Sequence, residues 1–387
     1  MASRKTVLVV NLVVTVFFLL NAIAIVTGLH IYPTYWHFVF FGAILGNLLW
    51  LLMPLLFTRH SSPPFRLARA VLGPFWVYWT FLIFIYSAFI LALGLIWFTA
   101  VQWFGVPFFS FIQTPSDIFL AILGFISVIG LIQALFLLKV EKVTIKIKNL
   151  PADFAGYKIA MTTDLHVGLF SRPSRLNQFS KAVQQHNPDL FIVCGDITDD
   201  DPHYLPKFLK SLEGLDPYLP AYGVLGNHDV YANPEKTLHI LENSRLTMLV
   251  NEGLEIKKGN SVIWLAGVGD QGARRIGKWG SVAPDFDKAI EKKPAGAITV
   301  LMAHQPQGFL EAADRQIELT LSGHTHGGQF GFKWLKWSLA KPFLKYDMGL
   351  FEKNGSQLYV SSGTGFWVLP IRFGLSPEVS LIELQPA

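Results

Sequence analysis

The stretch Leu319-Thr320-Leu321-Ser322-Gly323-His324-Thr325-His326-Gly327-Gly328 decides the fold. A short apolar run breaks at once into glycines and two histidines. A run this short, bounded by turn residues, reads as a strand buried on both faces. The glycines let the backbone turn closely behind it. The same pattern recurs upstream. Tyr157–Thr162 leads into Thr163-Asp164-Leu165-His166, Leu190–Val193 into Cys194-Gly195-Asp196, Ala221–Leu225 into Gly226-Asn227-His228-Asp229, and Ile298–Met302 into Ala303-His304. Val262–Ala266 is a further apolar run, and Val143–Ile147 alternates with period two.

Between these runs, Arg175–His186, Leu205–Leu215, Pro234–Asn243 and Phe286–Lys292 read as amphipathic helices. Pro173 and Pro234 stand near helix starts, where proline is tolerated. Strands alternating with helices predict one α/β domain over residues 149–387, with 139–148 as a short linker or first strand.

The rest of the chain has a different composition. The whole sequence of 387 residues is 51% hydrophobic and only 15% charged, with a net charge of +5. A soluble chain is roughly 25% charged, which excludes disorder and an ordinary cytosolic enzyme. Residues 1–138 hold Arg4, Lys5, Arg59, Arg66, Arg69 and Asp117 and no other charged side chain, a net of 5 − 1 = +4. Residues 139–387 hold the other 27 basic and 26 acidic side chains at ordinary globular density. The single cysteine, Cys194, excludes an internal disulfide framework. A basic balance this small gives no reason to expect a nucleic-acid partner.

Four apolar runs, 6–29, 38–57, 75–101 and 118–138, each reach the roughly 20 residues that cross a hydrocarbon core. They predict a four-helix transmembrane region over 1–138. Four runs of this length do not fit a cleaved signal peptide or a soluble core, and the absence of charge inside them argues against a pump. Lys and Arg occur before the first run, between the second and third, and after the fourth. The positive-inside rule then puts both termini and the large domain in the cytoplasm.

Aspartates, histidines and an asparagine at successive strand ends form a mixed nitrogen and oxygen donor set, suited to manganese, iron or zinc. Five of the 11 histidines fall in these stretches. The series Asp164-x-His166, Gly195-Asp196, Gly226-Asn227-His228-Asp229, His304 and Gly323-His324-x-His326 resembles the full signature of the calcineurin-like metallophosphoesterases. The resemblance covers about 157–384 and implies an αββα two-sheet sandwich with a two-metal centre at the strand C-termini. It implies that Asp164, His166 and His326 bind one divalent ion and Asn227, His304 and His324 the other, with Asp196 between them. Manganese is the expected ion, with iron or zinc as alternatives. It also implies a catalytic role for His228 in protonating the leaving oxygen, with Asp229 either orienting it or serving as a turn residue.

Two features point to substrate. The domain follows the last apolar run almost directly, which keeps the site near the membrane. The segment 330–346 interleaves lysines with Trp334, Leu335, Trp337 and Phe343, as a membrane-contacting surface does. Arg172, Arg175, Arg274, Arg275 and Arg372 are candidate phosphate contacts. The expected substrate is lipid-linked, and UDP-2,3-diacylglucosamine hydrolases are among the membrane phosphoesterases the chain resembles. The alternatives are an anchored phosphodiesterase for soluble nucleotides and a non-catalytic interaction module. The complete set of metal-ligating positions speaks against the latter. Oligomeric state is not legible.

Overall fold

The computed structural model describes residues 78, 82, 85–86, 88–90, 92–168, 171–199 and 201–387. The chain divides into two units, Met1–Val128 and Ile129–Ala387. The first two expected spans lie outside the described residues, and the third is described only in part. The fourth is a helix, α1, over Phe108–Phe136. Its segment Gln113–Phe136 is long and apolar enough to cross a membrane. Ile118, Ile122, Phe125, Val128 and Ile132 lie exposed along it, as lipid-facing residues do and water-facing ones rarely do. The helix starts ahead of the apolar run 118–138, at Phe108, and reads through Pro115, because an apolar helix accommodates a proline that a soluble one resists.

Two residues after α1 the β-structure starts. The first sheet runs β1 (Lys139–Ile147), β14 (Glu378–Pro386), β2 (Tyr157–Thr162), β3 (Leu190–Cys194), β4 (Ala221–Val224) and β5 (Thr247–Met248) in spatial order. The second runs β12 (Gly349–Lys353), β13 (Ser356–Val360), β9 (Leu319–Ser322), β8 (Ile298–Met302), β7 (Ser261–Gly267) and β6 (Glu252–Lys258). The segment 139–148 is therefore the first strand and not a free linker. It pairs parallel to β14 along its whole length, from Lys139 opposite Glu378 to Ile147 opposite Pro386.

Alternate residues explain why the two sheets stack. Leu190, Ile192 and Cys194 of β3 point into the same cluster as Ile263 and Leu265 of β7, Val300 and Met302 of β8, and Leu319 and Leu321 of β9. Phe191 and Val193 point the other way, onto α2 (Pro173–Gln184) and α3 (Leu205–Leu212), against Phe179, Val183, Phe208 and Leu212. On the far face of the second sheet, Trp264, Ala266 and Leu301 pack under α7 (Phe286–Ile290) and α8 (Phe309–Asp314). Period two with both faces apolar is what a continuous hydrophobic run encodes. The four layers are helix, sheet, sheet, helix, as expected. Cys194 is a buried free thiol whose Sγ donates to the Leu321 carbonyl of the facing sheet at 3.1 Å.

Strands β2, β3 and β4 are mutually parallel, and so are β7, β8 and β9. Their C-terminal ends deliver the signature loops to one edge of the sandwich. The short helices α4 (Asn227–Ala232) and α5 (Pro234–Glu242) follow β4, and α6 (Gln271–Ile276) follows β7. A hairpin of β10 (Gly331–Phe332) and β11 (Trp337–Ser338) leaves the last signature loop.

Candidate metal centre

The loop backbone is contorted where the signature residues stand. Asp164, His166, Asp196, His324 and His326 all have positive φ, between 45° and 72°. Each such non-glycine residue costs of order 1–3 kcal/mol and persists only where surrounding structure enforces it. The enforcement is visible. His324 N–H donates to both carboxylate oxygens of Asp164 at 2.9 and 3.0 Å, and His228 N–H donates to Asp196 Oδ1 at 2.8 Å. Gly365 N–H donates to the Asp164 carbonyl at 2.9 Å, closing the loop from behind. At Gly195, φ is 82° and an added Cβ would lie 2.5 Å from His304 Nδ1, so only glycine fits.

The side chains converge in three overlapping groups of close ligand atoms: Asp164, His166 and His326; His166, Asp196 and His228; and Asp196, His304 and His324. His166 Nε2 and His326 Nε2 are 3.0 Å apart, and His326 Nε2 is 3.4 Å from Asp164 Oδ1. His304 Nε2 is 3.1 Å from Asp196 Oδ2, which is 3.8 Å from His166 Nε2. Asp196 thus reaches both sides of the cluster.

Asn227 Oδ1, His304 Nε2 and His324 Nδ1 are buried with no hydrogen-bond partner among the described residues. Orphaned lone pairs in a dry site are costly unless something accepts them. A cation does so. His304 Nδ1 lies 2.8 Å from the Cys194 carbonyl, which can only accept; Nδ1 therefore carries the proton and Nε2 presents its lone pair inward. The donor set fits divalent ions.

The electrostatics carry the same mark of crowded charge. Burial opposes charge on His166, yet Asp199, Asp196 and Asp164 together raise it to about 9. Burial, then the charge of His304, push His324 down to about 3. Asp196 pays for burial but is held well below the carboxylate range by His304, His228 and His166.

His228 lies beside the cluster. His228 Nδ1 is 2.9 Å from the Asp199 carbonyl and its ring lies edge-on to His166, 4.7 Å between centroids. Asp229 makes the contacts of the second alternative, a turn residue. Its carboxylate accepts from the N–H groups of Ile197, Thr198 and Gly226 at 3.2, 2.8 and 2.8 Å, tying two signature loops together. Burial and then the charge of Asp196 raise it to about 7.

The arginines divide. Arg275 reaches Gln305 Oε1 at 3.2 Å and Tyr231 Oη at 3.5 Å. Arg274 is held by Glu311 and the Pro284 carbonyl. Arg172 and Arg175 stand at the start of α2. Arg372 is corrected most sharply: it is fully buried, and its guanidinium donates to the carbonyls of Leu375, Gly363, Gly365, Ser362 and His326. No phosphate reaches it. Trp334 and Phe343 are 79% and 82% exposed, and Leu335 and Trp337 are exposed beside them.

Two further carboxylates adjoin the cluster. Asp199 Oδ1 lies 3.3 Å from His166 Nδ1. Asp270 is buried beside the cluster, bonded to Gln305 at 2.8 Å, and burial raises it to about 6. A Gly-Asp pair one residue beyond β7, similar to Gly195-Asp196 after β3, was its available signal.

The profile of the calcineurin-like phosphoesterases matches residues 157–328. A protein of Helicobacter pylori named as an uncharacterized metallophosphoesterase is 34% identical over 271 residues, 69% of each chain. A "transmembrane protein with metallophosphoesterase domain" of Danio rerio is 30% identical over 285 residues, 72% of this chain and 64% of that one. The chain belongs to the calcineurin-like phosphoesterases. It is a metal-dependent phosphoesterase.

Proposed function

We propose that this phosphoesterase is membrane-anchored and hydrolyses a phosphate-ester or pyrophosphate bond of a lipid-linked substrate at the cytoplasmic face, with residues 1–138 as anchor and 149–387 as catalytic domain. One observation carries the reading. The final turns of α1 are bonded to the loop beside the metal cluster: Arg372 N–H donates to the Gly130 carbonyl at 3.0 Å, and Gly374 N–H to Gln133 Oε1 at 2.9 Å. If α1 spans the bilayer, the site stays at its surface. The name of the Danio rerio relative supports the same placement. Lysines 139, 142, 146 and 148, directly after α1, favour the cytoplasmic side. Exposed Trp334, Leu335 and Phe343 supply a second apolar contact with the interface.

Asp164, His166 and His326 would hold one divalent ion, Asn227, His304 and His324 the other, and Asp196 would reach both; manganese suits this set, as iron and zinc do. Held by these residues, two such ions would supply positive charge for the phosphoryl oxygens and would lower the pKa of a water. The chain's own groups do the rest. His228, held through Nδ1 by the Asp199 carbonyl, is the group we assign to protonate the leaving oxygen, in its imidazolium form. Arg275, anchored by Gln305, is the arginine best placed for a substrate phosphate. The test is a comparison of UDP-2,3-diacylglucosamine with UDP-N-acetylglucosamine in mixed micelles with manganese. A lipid preference of about tenfold or more in kcat/KM is expected, the equivalent of burying about two methylenes. Equal values would leave an anchored phosphodiesterase for soluble substrates.

A further inference from the structure

A chain of hydrogen bonds runs from a buried carboxylate to the rim of the metal cluster. Asp270 is 1% exposed and is the N-cap of α6, where its Oδ1 accepts from Gly272 N–H at 2.6 Å. The same oxygen accepts from Gln305 Nε2 at 2.8 Å, and Gln305 Oε1 accepts from Arg275 Nη2 at 3.2 Å. Both neighbours force that amide orientation, because a carboxylate only accepts and a guanidinium only donates. Negative charge, amide dipole and positive charge then line up head to tail, and each bond strengthens the next.

The links of this chain adjoin the cluster. Gln305 directly follows His304. Gly272 packs so closely on Asn227 that an added Cβ would lie 3.1 Å from the Asn227 Cβ. Arg275 Nη1 also donates to Tyr231 Oη at 3.5 Å, and the Tyr231 ring centroid is 6.1 Å from that of His228. The neighbouring arginine is used differently, since Arg274 pairs with the Glu311 carboxylate at 3.1 Å. Arg275 instead bonds an amide and a phenol, neutral groups that fix a guanidinium without neutralising it.

Capping alone does not explain Asp270. A serine or threonine would cap α6 as well. Neither would bury a carboxylate whose Oδ2 has no hydrogen-bond partner among the described residues, which is costly. What the carboxylate adds is the reach to Gln305. We infer that Asp270 is a positioning residue, which acts through Gln305 to hold the Arg275 guanidinium at the rim of the cluster for a phosphate oxygen of the substrate. The inference rests on the reading of Arg275 as a phosphate contact and is independent of whether the substrate is lipid-linked.

The test uses the manganese-loaded, full-length protein in dodecyl maltoside. Isothermal titration calorimetry gives the Kd of inorganic phosphate, and hydrolysis of bis(p-nitrophenyl) phosphate gives kcat and KM. Arg275→Ala should weaken phosphate binding about tenfold, the loss of one charge-assisted hydrogen bond, and raise KM. Asp270→Ser keeps the cap but falls short of Gln305; it should weaken binding about threefold to tenfold and raise KM, with kcat within about twofold. Asp270→Asn still accepts from Gln305 and should restore most of the affinity. In the Arg275→Ala background, Asp270→Ser should add no further loss, because residues that act through one another are not additive. A loss that persists in that background, or phosphate binding unchanged in Asp270→Ser, would overturn the positioning role. If Asp270→Ser fails to fold, Gln305→Met, which cuts the same chain and leaves the cap in place, is read in the same way. Arg275→Ala that binds phosphate as the wild type does would sink the phosphate role of Arg275 and the inference with it. A weakened Arg275→Ala beside a silent Asp270→Ser would sink the positioning role alone.

Discussion

His304 turns its two ring nitrogens to opposite tasks: Nδ1 lies 2.8 Å from the Cys194 carbonyl, and Nε2 lies 3.1 Å from Asp196 Oδ2. The backbone contact puts a proton on Nδ1, and Nε2 set against a carboxylate calls for positive charge between them, from a proton or a metal ion. Asp196→Asn removes the negative charge at that point and with it the carboxylate that reaches both sides of the cluster. We expect kcat to fall by about 10³ or more, with metal content, read by inductively coupled plasma mass spectrometry, falling in parallel. Full activity with full metal occupancy would contradict the role given to Asp196.

Gly195→Ala tests the same relationship from the backbone. The new methyl would meet the His304 ring, and φ at this position is 82°. The ring must then leave the Cys194 carbonyl. Lower metal affinity is the expected outcome, along with a stability loss of about 1–3 kcal/mol from the strained backbone. An alanine variant with unchanged melting temperature and metal content would show that the close approach is not required.

His228 is next to the cluster but has its own anchor on Asp199. If it protonates the leaving oxygen, His228→Ala should lower kcat by about 10²–10⁴ for an alkyl phosphodiester. The loss should be much smaller for a p-nitrophenyl ester, whose leaving group needs no proton. Metal content should stay near that of the wild type. The same loss on both substrates would make His228 a positioning residue for the site and not its acid.

Much of this was legible because buried strands and ligand loops leave compact signals. Tyr157–Thr162 and Ile298–Met302 are strands over the very residues whose apolar runs mark them. Strand β14 was not legible. Its Glu378 and Ser380 point inward, bonded to Ser361 and Tyr359, so polar letters stand where a core strand should be apolar. Arg372 misled for a related reason: a charged residue in a glycine-rich loop looks solvated until the carbonyls around it are known. The aromatic segment was half readable. Trp334 and Phe343 are exposed, but Lys333, counted with the lipid-facing cations, bonds the buried Glu378 at 2.5 Å.

That pair gives a pH prediction. Burial works to raise the Glu378 carboxyl, but Lys333 and the Ser362 N–H hold it below its ordinary range. A carboxylate depressed in the folded state contributes stability above its unfolded pKa of about 4.3, and that contribution is lost as pH falls through the folded value. Melting temperature should therefore drop on acidification below about pH 4. Lys333→Met removes the partner of a buried charge and should cost about 2–4 kcal/mol near neutrality, with a flatter acid limb. A variant as stable as the wild type at pH 7 would show that the pair contributes nothing.

Arg372 separates a structural role from a substrate role most cleanly. Five carbonyls, from His326, Ser362, Gly363, Gly365 and Leu375, converge on one guanidinium. Burial lowers it to about 10, still well above neutrality, so it remains charged. A planar five-donor fork can serve that ring of acceptors, whereas an ammonium offers three donors from a single atom. Arg372→Lys keeps the charge and should still lose stability, and Arg372→Met should lose more, about 3–5 kcal/mol, by leaving buried carbonyls unpaired. Both should reduce metal affinity through the displaced His326 carbonyl. A phosphate-binding arginine would behave differently: Arg372→Lys would raise KM at constant melting temperature. Thermal unfolding and KM measured on the same two variants distinguish the outcomes.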